Sequence, residues 1–96
     1  MDNACSAEEY SIEIAKGAFS EKVKPYLKEC EYGEQRFRAC RFAEDRCSVT
    51  AYAQASDSVY IFHFCINPEN GELIGFDPGA KMIGKKFGNG FEGLPM

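Results

Sequence analysis

Three consecutive stretches, Gln35–Ala43, Ser48–Ala55 and Ser58–Ile66, interlock when folded as an antiparallel meander. Two-residue turns at Glu44-Asp45 and Ser56-Asp57 set the alignment. Phe42, Cys47 and Ile66 then fall in line across one face, as do Cys40, Val49 and Phe64. On the same face Ala51 falls beside Phe62 and Ala53 beside Tyr60. Small residues meet large ones, as a packed sheet face requires. A one-residue slip in any pair would reverse the faces, so the match constrains register as well as topology.

A fourth strand joins the same alignment. Asn67-Pro68-Glu69-Asn70-Gly71 is a strong turn signal, after which Glu72–Phe76 returns along the third strand. Pairing Ile66 with Glu72 sets Ile74 beside Phe64 and Phe76 beside Phe62. Upstream, Ser6 and Glu9 match a capping box, so a helix is expected from Ala7. Its apolar stripe reads Tyr10, Ile14, Ala18, with Ala15 and Phe19 alongside. Pro25 should kink or break this helix, and Gly33 should end it. The expected fold is therefore α+β in one domain, residues 1–96. A helix over 7–31 packs on one face of a four-stranded meander over 35–77, followed by an irregular Gly-rich tail over 78–96. The order of helix then meander resembles the cystatin-like arrangement in outline. That outline is shared by inhibitors, adaptors and enzymes, so it implies no activity.

Charge is unevenly spread. The chain has net charge −4, yet residues 32–47 carry four arginines against three acids, and residues 48–80 carry four acids and no Lys or Arg. An acidic body of this kind argues against a general nucleic-acid binder. The five cysteines are odd in number and contain no C-x-x-C pair, and MDNACSAEEY has no apolar secretory run. A reducing cytoplasmic setting, with cysteines serving as small buried hydrophobes, is the expectation. No segment is long and apolar enough to span a bilayer, and no membrane partner is expected.

The apparent nucleotide motifs fail on context. Gly79–Lys86 approaches G-x-x-x-x-G-K-[ST], but Lys86 replaces the hydroxyl and Gly88-Asn89-Gly90 leaves no helix to hold a phosphate. Gly88–Gly93 fits G-x-G-x-x-G without the strand and helix that motif requires. No metal-ligand spacing and no cofactor signature is present.

The second sheet face is the informative one. It is expected to carry Phe37, Tyr52 and Ile61 as an apolar strip, with Arg41, Thr50, His63 and Cys65 around it. A solvated face should be more polar. The leading expectation is a small non-catalytic module that binds a protein partner, or a second copy of itself, through this face or an edge strand. The alternative is a small-ligand or catalytic pocket around His63 and Cys65, where an imidazole could activate a thiol. A further alternative is RNA binding along Arg36–Phe42, where arginines alternate with aromatics. No residue is assigned a catalytic role.

Overall fold

The computed structural model describes residues 7–26, 32–55 and 58–83. One helix, α1 (Ala7–Val23), runs into a 3-10 turn (Lys24–Tyr26) and is followed by four strands. These are β1 (Tyr32–Ala43), β2 (Arg46–Ala55), β3 (Ser58–Asn67) and β4 (Glu72–Ile83), arranged in chain order as an antiparallel sheet. The architecture is α+β, with α1 against one face of the sheet and touching all four strands. Ser6, Cys30 and the segment after Ile83 lie outside the described residues, as do the expected cap, the last turn of the expected longer helix and the glycines at 84–93.

α1 begins at Ala7 and gives way at Pro25, whose ring cannot continue an α-helix. Its buried line is Ser11, Ala15, Phe19 and Val23, one residue from the expected stripe. This line runs at i, i+4 spacing, so one narrow ridge enters the sheet. Tyr10 is turned outward at 38% exposure, and its hydroxyl lies against Gly71. Gly71 has a positive φ of 77°, which a side chain would strain, and a Cβ there would strike the Tyr10 ring. The β3–β4 turn is closed by Gly71 N–H donating to the Asn67 carbonyl at 2.8 Å. Asn67 Oδ1 and Asn70 Oδ1 each accept from a backbone N–H two residues on, both at 2.9 Å.

The core forms where α1 meets the sheet: Ala15, Phe19 and Val23 pack on Val49, Ala51, Ala53, Phe62, Phe64 and Ile66. The β2–β3 register is as the sequence predicts, with Cys47 opposite Ile66, Val49 opposite Phe64, Ala51 opposite Phe62 and Ala53 opposite Tyr60. The alanines leave the space that Phe19 fills. Phe19 meets Phe62 edge-on at 6.1 Å and Phe37 edge-on at 5.7 Å, while Phe62 stacks with Phe76 at 6.0 Å. Such pairs favour offset or edge-on geometry because of the ring quadrupole.

The outer strands depart from the expected register, each by a bulge. In β1 the pairing slips between Arg41 and Ala43, leaving Phe42 as the extra residue. Ala39 therefore faces Val49 and Phe37 faces Ala51. Phe37, expected on the second face, packs in the core; Phe42, expected in the core, is 63% exposed. In β4 the slip falls between the pairs Cys65–Gly75 and Ile66–Leu73. Ile74 is displaced outward, and Leu73 and Phe76 take the core positions. The stretch expected as the start of the tail continues β4 to Ile83, with a second irregularity after Pro78. Proline is tolerated there because β4 is an outer strand among those described.

Two stability measurements check this packing. Phe37→Ala should cost about 2 kcal/mol in denaturant unfolding, whereas Phe42→Ala should stay within about 0.5 kcal/mol. Equal costs would contradict the observed register. Ser11 Oγ, in the second turn of α1, is buried and has no hydrogen-bond partner among the described residues. Ser11→Ala removes that desolvated hydroxyl and adds helix propensity, and should raise stability by about 1 kcal/mol in the same assay. A loss of stability would show that the hydroxyl is satisfied in solution.

Candidate functional site

The second sheet face is laid out by the cross-strand pairs. One row runs Arg38, Thr50, His63, Asp77, each the lateral neighbour of the next across β1 to β4. Beside it runs Cys40, Ser48, Cys65, Gly75. Neighbouring strands lie about 4.8 Å apart, so each row places its side chains at near-regular intervals along one line.

Two adjoining hollows open on these rows. One, of about 170 Å³, is lined by Phe42, Ser48, His63, Phe64, Cys65, Gly75 and Asp77. The other, of about 350 Å³, is lined by Arg38, Ala39, Cys40, Ser48, Thr50 and His63. Ser48 and His63 are common to both. Gly75 and Gly79 shape this ground. At Gly75 an added Cβ would stand 4.0 Å from Cys65 Cβ, so the absent side chain deepens the hollow beside Cys65. At Gly79 a Cβ would come within 2.9 Å of both His63 Nε2 and the Ile61 carbonyl oxygen. Gly79 therefore leaves room for the exposed His63 imidazole, which a larger residue there would displace.

Of the residues singled out from the sequence, Thr50, His63 and Cys65 come together around these hollows. Tyr52 and Ile61 share the face but are buried with Val59 and Met82 in a second, smaller core. Phe37 is turned away to α1, so the expected exposed strip of Phe37, Tyr52 and Ile61 does not form. Arg41 clamps the β1–β2 turn, donating to the carbonyls of Ala43 at 3.2 Å and Glu44 at 2.9 Å. Arg38, Cys40 and Phe42 were missed as second-face residues because the sequence gives no sign of the bulge that sets their side. Ser48 follows from the β2–β3 register as the neighbour of Cys65, whereas Asp77 comes beside His63 only through the slip in β4.

Charge changes sign across the face. Arg38 stands at the β1 side and Asp77 at the β4 side, with hydroxyls and the imidazole between. Arg36 is held by Glu34, Nε to Oε2 at 2.8 Å. Burial pushes the Tyr52 phenol above its ordinary pKa of 10.0, and the nearby Arg38 guanidinium pulls the other way. Cys65, His63 and Asp77 share one face, but among the described residues no hydrogen bond links the imidazole to the thiol or the carboxylate. A linked nucleophile, base and orienting acid is therefore not assembled. Among the described residues no three His, Cys, Asp or Glu side chains converge as a metal site. The Gly79–Ile83 part of the apparent phosphate loop is strand, not a loop around an anion.

No family model matches the chain, and no curated protein or solved structure matches it.

The raised Tyr52 pKa gives a pH dependence. The folded state holds this proton more tightly than the unfolded one, so its contribution is intact below pH 10.0 and is lost as pH rises through the folded value. Ultraviolet titration should show a late-ionising tyrosine that disappears in Tyr52→Phe. That variant should also lose part of the alkaline fall in stability. A wild-type curve with no late component would contradict the burial of the phenol.

Proposed function

We propose that this chain is a small non-catalytic interaction module that binds a protein partner, or a second copy of itself, through the second sheet face. The observation that carries the reading is Phe42. A large aromatic ring is 63% exposed at the lip of a hollow that Ser48, His63 and Asp77 also line. Protein interfaces concentrate their energy in such aromatic anchors surrounded by polar groups. The mixed charge from Arg38 to Asp77 would fix orientation more than affinity. Cys40, Cys47 and Cys65 are free thiols, which supports a reducing, cytoplasmic setting. No helix among the described residues is long and apolar enough to cross a membrane.

The small-ligand reading keeps one specific support, the convergence of Thr50, His63 and Cys65 on adjoining hollows. RNA binding along β1 loses its aromatic partner at Phe37, which packs against Phe19.

A photo-crosslinking residue at Phe42 tests the interaction reading against one at Glu21, on α1 across the sheet. Position 42 should yield a defined adduct with a protein partner or a second copy, and position 21 should not. Equal adducts from both positions, or none from either, would remove the reading.

A further inference from the structure

The larger hollow has a chemical character that the chain as a whole lacks. The protein carries net charge −4. Yet among the described residues the polar side chains around this hollow are Arg38, Cys40, Ser48, Thr50 and His63, with no carboxylate. Asp77 lines only the neighbouring hollow, on the far side of His63. Every one of these groups can donate a hydrogen bond: a guanidinium, two hydroxyls, an imidazole N–H and, weakly, a thiol. Arg38, Thr50 and His63 are successive lateral neighbours on β1, β2 and β3. The arginine and histidine backbones are thus separated by about 10 Å, with the shorter threonine between them. The hollow that these three residues help to line, about 350 Å³, has room for an oxyanion. The guanidinium supplies a fixed charge and a planar fork suited to carboxylate or phosphate oxygens. Gly79 leaves room for the His63 ring, since a side chain there would crowd it.

We propose that this hollow is an oxyanion subsite, formed by Arg38, Ser48, Thr50 and His63, that takes a carboxylate or phosphate group. The inference rests on the reading of this face as a binding surface and gives the chemistry of the group a partner presents there. Arg38 is the principal anchor, and Ser48 and Thr50 complete the oxygen contacts from β2. Arg36 is a natural comparison: it is on the same strand, carries the same charge and is not among the residues that line the hollow.

The test uses the full chain, labelled for NMR, with inorganic phosphate and acetate titrated separately against chloride at constant ionic strength. Saturating shifts are expected at the amides of Ser48, Thr50 and His63 and at the His63 ring. Arg38→Gln should weaken binding about tenfold, the usual scale for losing a charged hydrogen-bond donor. Arg36→Gln should leave it within about twofold, because screening and distance limit that charge. The same spectra report whether each variant is folded; Thr50→Val, expected to weaken binding several-fold, serves if Arg38→Gln is not. Stronger binding of phosphate assigns the site to a phosphorylated group, and equal or stronger binding of acetate assigns it to a carboxylate. Shifts that never saturate, or that persist unchanged in the folded Arg38 or Thr50 variant, would overturn the proposal. Anion binding without a crosslink from Phe42 would keep the subsite and remove the protein-interaction reading. A crosslink without anion binding would do the reverse.

Discussion

The fold depends on one complementarity, the seat that Ala51 and Ala53 make for Phe19. These alanines stand in the middle of β2, opposite Phe62 and Tyr60. Larger residues there would push α1 off the sheet, and smaller ones opposite would leave a void. With the alanines in place, Phe19 reaches the sheet and meets Phe37 and Phe62 edge-on. Burying a ring of that size is worth roughly 3 kcal/mol. Phe19 is the largest side chain in the buried line by which α1 is attached to the sheet. Ala15 and Val23 extend the same ridge one turn either way.

This seat also explains which parts of the fold are legible in the sequence. The β2–β3 ladder joins two strands with unbroken alternation, and small–large matching is enough to fix its register. β1 and β4 each have only one described neighbour, so each can absorb an extra residue without disturbing a second ladder. Alternation in β1 offers an apolar pair to either side, Phe37 with Ala39 or Cys40 with Phe42. The choice is settled by the ring of Phe19, which needs Phe37 beside it, and that is a tertiary contact with no local signature. The same holds in β4, where Leu73 and Ile74 compete for one inward place and the turn geometry around Gly71 gives it to Leu73. The extension of β4 beyond Pro78 was hidden by glycine and proline, which ordinarily punctuate strands.

The candidate site shows a similar division. Residues contributed by β2 and β3, namely Ser48, Thr50, His63 and Cys65, are correctly grouped by the regular ladder alone. Those from β1 are not, because the side on which they project reverses with the bulge. Tyr52 and Ile61 are placed on the right face, but burial with Val59 and Met82 removes them from the surface. Alternation tells which side of a sheet a residue takes. It does not tell whether that side is covered there.

The bulge at Phe42 is therefore more than an irregularity. Without it, Arg36 and Arg38 would point toward α1, into a core that has no counter-charges for them among its clustered residues. With it, Phe37 enters the core, both arginines turn to the second face, and Phe42 is put out at the lip of the hollow. One inserted residue thus creates the aromatic anchor and supplies the cationic side of a face whose other side ends in Asp77. The strand packs on one side and can bind on the other. The cost is an exposed ring and a broken ladder at the end of an outer strand, where a sheet tolerates them best.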